Sequence, residues 1–179
     1  MMVPTTVPLM HYDPSWPQQF EQTRSNILAA CDGLVVAVEH IGGTAISGLI
    51  ARPTIDAVAM VAESDSIPTA ALLIEGLNYR VQPKTSWCDS AWVLTKPRYL
   101  SSTQTATNRC IYLLASESPF WKSALAIRDL LRRDRRAAID FEQAKLQSWK
   151  ESEGDLERYN SEKAEIFAQL HSMLPPDFS

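Results

Sequence analysis

The residues best suited to chemistry lie between positions 39 and 56. Glu39-His40-Ile41-Gly42-Gly43-Thr44-Ala45-Ile46-Ser47-Gly48 runs on to Arg52-Pro53-Thr54-Ile55-Asp56. Glycines at a strand end let the backbone approach a ligand closely, and successive N–H groups there can hold an anion. Thr44 and Ser47 add hydroxyls, His40 and Arg52 add donors, and Asp56 adds a carboxylate flanked by apolar residues. These types in this order form a candidate phosphate-and-metal site. Further along, Arg128, Arg132 and Lys145 occupy helical stretches from which they can reach toward the glycine turn. Arginine presents a bidentate fork to phosphate, and lysine a point charge.

Each residue also has a purely architectural role open to it. His40 can brace the turn by hydrogen bonding to backbone, and Gly42-Gly43-Thr44 can simply be a tight turn. An aspartate buried unpaired is costly, so Asp56 needs a cation or donors, and Arg52 or Arg128 is a candidate partner. Arg133, Arg135 and Arg136 read as a solvated helix face. Cys110 and Tyr112 read as core or pocket lining.

Other chemistries are excluded by what is missing. Gly43 and Gly48 have P-loop spacing, yet Leu49 and Ile50 stand where Lys and Ser/Thr would contact phosphate and Mg²⁺. Ser47 lies in no nucleophile elbow, and three histidines (His11, His40, His171) are too few for a triad or a histidine-rich metal centre. The three cysteines, Cys31, Cys88 and Cys110, lack CxxC spacing, which disfavours disulfides and zinc and suits a reducing compartment. A net charge of −4 and a pI near 5.4 argue against general nucleic-acid binding. No stretch approaches the roughly 18 apolar residues of a membrane span, and residues 1–10 do not read as a signal peptide. A cytoplasmic location is expected.

The elements that must position the candidate site follow from periodicity. Leu34–Val38 and Thr54–Val61 read as neighbouring buried strands either side of the glycine segment. Before them, residues 1–10 read as an extended lead-in, and a helix is expected from Gln18 to about Cys31. Ser15 is its expected N-cap, Pro17 lies in its first turn and Gly33 lies beyond its end. After them come a helix over Ile67–Leu77 and short strands near Tyr79–Gln82, Ala91–Thr95 and Arg109–Leu114. Loops are expected at 83–90 and over Lys96–Thr107. From Pro119 the pattern is helical, with a second helix over about Arg136–Glu151 and a third from Asp155, stopped by Pro175-Pro176. At 179 residues this is one domain, an α+β core over about 12–117 closed by helices over about 118–174.

Three blocks carry a family resemblance. Tyr12-Asp13-Pro14-Ser15-Trp16-Pro17-Gln18-Gln19-Phe20 resembles the Y-D-P-x-W-x-x-x-F opening of the GrpB (UPF0157) family. Glu39 through Asp56 resembles its E-H-I-G-S-T-S-V-P-G-L-x-x-K-P-I-I-D block. Arg128-Asp129-Leu130-Leu131-Arg132 through Phe141-Glu142-Gln143-Ala144-Lys145 resembles its R-D-Y-L-R…Y-x-x-L-K block. The resemblance implies a nucleotidyltransferase-like mixed β-sheet flanked by helices. It also implies that the Gly-Gly turn holds phosphate and that Asp56 is the metal-binding, catalytic acid, with Mg²⁺ as its cofactor. The chain departs from the pattern at Gly43, Ser47 and Arg52, where the family usually has Ser, Pro and Lys. Cys110 and Tyr112 replace a usual His-x-His pair, and Val58 stands where a second metal-binding acid would be. Glu39, Glu63 and Asp65 are the nearest acids in sequence. The expectation is therefore a protein that binds a nucleotide or other phosphorylated small molecule. A Mg²⁺-dependent nucleotidyltransferase and a non-catalytic structural or interaction protein are the alternatives.

Overall fold

Tyr12-Asp13-Pro14 turns the chain into its first helix, α1 (Trp16–Cys31). Ser15 occupies the cap position, but its hydroxyl does not cap the backbone; it accepts from the Gln19 side chain at 2.9 Å. The Asp13 carboxylate instead accepts the Ser15 N–H at 2.8 Å. The structure, a computed structural model, describes residues 9–83, 91–99, 108–151 and 165–175. Trp16, Phe20, Ile27 and Cys31 recur at helical spacing on the buried face of α1. Burying each large apolar side chain contributes about 1.5–3 kcal/mol. Asp32 and Gly33, both at positive φ, end the helix.

The remaining elements are β1 (Val35–Ile41), β2 (Ile55–Val61), α2 (Ile67–Glu75), β3 (Arg80–Val81), β4 (Trp92–Lys96), β5 (Arg109–Ala115), α3 (Pro119–Arg133) and α4 (Arg135–Glu151). Residues 165–172 are again helical. One mixed sheet has the order β1-β2-β5-β4-β3. Only β2 and β5 pair in parallel; the other neighbours are antiparallel. This is the expected α+β class with a mixed sheet. β1 extends further than the apolar pattern suggested, taking Glu39 and His40 into the strand.

Two cores cover the two faces of the sheet. Ala57, Ala59, Ile111, Leu113 and Leu94 pack with α1 and α2 side chains, including Ile27 and Ile74. Ile41, Val58, Cys110, Tyr112 and Leu114 pack with Ala124, Phe120 and Trp121 of α3. A third cluster joins Ile46 and Leu49 of the turn to Ile127, Leu131, Ala137 and Ala138 of the C-terminal helices. The third cluster is how apolar side chains tie the turn to the helices. Among the described residues, no helix is long and apolar enough to cross a membrane. The expected lead-in at 1–8, the loops at 84–90 and 100–107, and the start of the third C-terminal helix lie outside the described residues.

Candidate functional site

Strand alternation divides the 39–56 stretch between two faces. Ile41 pairs with Asp56 and Glu39 with Val58, whereas His40 pairs with Ala57. Successive side chains point to opposite faces, so Glu39 and Asp56 share the α3 face and His40 faces α1. There His40 stacks on Phe20, with ring centroids 4.7 Å apart and planes 7° apart. Its Nε2 lies 2.9 Å from Thr44 Oγ1, and the Thr44 hydroxyl donates to the Thr54 carbonyl at 3.0 Å. That hydroxyl proton is spent, so His40 Nε2 carries the hydrogen and donates. Burial, assisted by the nearby Arg132 and Arg128 charges, pushes His40 down to about 4 and keeps it neutral. His40 and Thr44 thus brace the turn from behind.

The two glycines meet different neighbours. Gly42 has φ +74°, and a Cβ there would sit 2.8 Å from Asp56 Oδ2. The Asp56 carboxylate therefore lies directly against the Gly42 backbone. A Cβ on Gly43 would meet Lys145 Nζ at 2.8 Å and Ala51 Cβ at 3.0 Å. A 3-10 turn, Gly43–Ala45, follows. Ser47 is exposed beside Gly48, itself at φ +82°.

The C-terminal helices fasten this turn. Arg128 Nη1 donates to Glu39 Oε2 at 2.7 Å and to the His40 carbonyl at 3.3 Å, while its Nε donates to Asp129 at 2.9 Å. Burial opposes the Arg128 charge, but hydrogen bonds to Asp129 and Glu39 outweigh it and raise its pKa. One helical turn on, Arg132 Nε donates to the Ala45 carbonyl at 3.1 Å. From α4, Lys145 Nζ donates to the Ile50 carbonyl at 2.7 Å and lies 4.9 Å over the Phe141 ring. Glu142 accepts the Ile50 N–H at 2.5 Å, so both polar groups of one residue are gripped by α4. Glu142 is not among the candidate residues read from the sequence; its local signal is spacing one turn before Lys145.

The structure thus gathers Gly42, Gly43, Asp56, Arg128, Arg132 and Lys145 around one turn. It does not bring Arg52 or Arg128 to Asp56 as an ion pair: Arg52 Nε donates to Thr54 Oγ1 at 3.0 Å, and Arg128 is engaged by Glu39 and Asp129. Glu63 and Asp65 lie past the opposite end of β2, roughly 20 Å from Asp56 at about 3.3 Å per residue. Cys110 pairs with Asp56 and Tyr112 with Val58, and both are buried, Tyr112 against Phe120. Among the described residues no group of three His, Cys, Asp or Glu could hold a metal ion. Among the described residues, Asp56 and the Arg128-bound Glu39 do not by themselves make a two-metal centre, which needs several carboxylates.

A mixed sheet closed by charged helices over a glycine turn defines an α+β protein of the kind seen in solved structures. A crystal structure of GrpB from Enterococcus faecalis superposes with a TM-score of 0.76 at 20% identity, covering 92% of this chain and 98% of that one. The chain belongs to the GrpB family: the family model described as GrpB protein matches residues 6–172. It is also similar to UPF0157 proteins of Halalkalibacterium halodurans (31% identical over 77 residues) and Streptomyces coelicolor (41% over 76 residues). Those matches cover 43% and 41% of this chain and 40% of each relative.

Proposed function

We propose that the protein binds a nucleotide or another phosphorylated small molecule beside the Gly42-Gly43 turn, without metal-dependent turnover. The observation that carries this reading is Arg132. It is exposed, its Nε is fixed on the Ala45 carbonyl, and it has no carboxylate partner within salt-bridge distance among the described residues. Arg128 stands one turn away, and its charge contributes to depressing the Arg132 pKa, after burial. Arg132 uses Nε on Ala45 and keeps its terminal N–H groups, a fork that suits a phosphate. The exposed Ser47 hydroxyl and the turn's backbone supply further contacts.

A Mg²⁺-dependent nucleotidyltransferase is the second reading. It is favoured by the Asp56 carboxylate lying against Gly42 at the start of β2. Val58, on the same face as Asp56 where a second acid would stand, favours binding over turnover. A thermal-shift panel of nucleotides and coenzyme A precursors, with and without Mg²⁺, separates the two. Metal-independent stabilisation abolished by Arg132→Ala supports binding. Stabilisation that requires Mg²⁺ and vanishes in Asp56→Asn supports the enzyme instead. No shift with any ligand overturns both.

A further inference from the structure

At the same end of the sheet, on the α1 face, a second group of cations surrounds a buried tyrosine. Lys96 and Arg109 are directly opposite each other across β4 and β5. Side chains so paired have Cβ atoms about 5 Å apart, and like charges there are destabilising. Lys96 Nζ lies 5.4 Å over the Tyr79 ring. Arg109 spends Nε on Thr23 Oγ1 at 3.0 Å and Nη1 on the Asn108 carbonyl at 3.0 Å, leaving Nη2. Arg98 closes the group, with Nε on the Tyr79 carbonyl at 2.9 Å and Nη2 on the Glu75 carbonyl at 2.8 Å.

Two features of this group are unexplained by the architecture alone. No carboxylate lies within salt-bridge distance of Lys96, Arg98 or Arg109 among the described residues. Tyr79 is 3% exposed, yet its phenol makes no hydrogen bond among the described residues. A buried hydroxyl without a partner is costly. Burial pushes the Tyr79 phenol up to about 12, against the opposing Arg109 charge, so it stays protonated and able to donate.

We propose that Lys96, Arg109 and the Tyr79 hydroxyl form an anion site for a phosphate dianion, free or as the terminal group of a small phosphomonoester. The anion accepts from the phenol, from Lys96 Nζ and from Arg109 Nη2, and it neutralises the cross-strand repulsion. The site lies on the opposite sheet face from Asp56, and its existence does not depend on ligand binding at the glycine turn.

Calorimetric titration of the full chain with inorganic phosphate, and separately with glycerol phosphate, tests this. Binding of either ligand is expected, weakened about tenfold in Lys96→Gln and to a lesser degree in Tyr79→Phe. Arg132→Ala is expected to leave this binding intact, which separates it from binding at the turn. Because Arg109 anchors α1, the partly buried Lys96 is the position to vary, and thermal melts of Lys96→Gln without ligand should be no lower than the parent. The proposal is overturned if neither ligand binds, if Lys96→Gln binds as tightly as the parent, or if Arg132→Ala alone abolishes binding.

Discussion

Glu39 and His40 are adjacent in β1 and have opposite environments. His40 is buried against Phe20, neutral, with its Nε2–H donated to Thr44. Glu39 has a side chain 43% exposed and is held by the Arg128 guanidinium. The same contrast extends along their faces: the α1 side supports the turn through packing and neutral hydrogen bonds, the α3 side through charges. The lesson is that one contiguous motif supplies two separate things, a rigid support and a charged surface. Changes on the support side should cost stability, and changes on the charged side should cost mostly ligand.

The strongest way to break that contrast is at the residue that joins the two sides. Gly42→Ala places a Cβ against Asp56 at positive φ. It is expected to destabilise by about 3 kcal/mol in urea unfolding, from left-handed backbone strain and overpacking together. Gly43→Ala, without the positive φ but against the Lys145 tip and Ala51 Cβ, is expected to cost less, about 1–2 kcal/mol. Equal losses at the two positions would remove the distinction between the glycines.

The next effect is pH dependence. Burial holds the folded pKa of His40 at about 4, below the ordinary histidine value of 6.5. The unfolded chain therefore binds the extra proton first as pH falls. The neutral-His contribution is complete above about pH 6.5 and is lost between there and pH 4, amounting to about 2 kcal/mol by pH 5. Denaturant melts at pH 7 and pH 5 should show this loss, and His40→Gln should flatten it. A slope unchanged in His40→Gln would assign the effect elsewhere.

The smallest effect belongs to the charged side. A double-mutant cycle on Glu39 and Arg128 should give a coupling of about 0.5–1 kcal/mol, because Glu39 is substantially exposed and solvent screens the pair. Raising the salt concentration should shrink it. A coupling as large as the His40 effect would mean that charge, not packing, supports the turn.

Much of this architecture was legible in the residues. The apolar runs at β1, β2 and β5 and the amphipathic spacing of α1, α3 and α4 come within a few residues of the observed elements. Arg128, Arg132 and Lys145 do reach the glycine turn. What was not legible is which face each residue of 39–56 takes, because the apolar pattern stopped β1 short of Glu39 and so left the alternation undefined there. Nor could spacing reveal that β5 inserts between β2 and β4, that Glu142 reaches Ile50, or that Lys96 meets Arg109. All of these depend on pairings distant in sequence.

The grip of α3 and α4 on the turn has a consequence for how the chain reaches its native state. The bonds from Arg128 to Glu39, Arg132 to Ala45, Glu142 to Ile50 and Lys145 to Ile50 span 89, 87, 92 and 95 residues. Each requires closing a long loop, and loop-closure entropy must be met before such contacts reward it. During synthesis these four bonds can form only after α3 and α4 have left the ribosome.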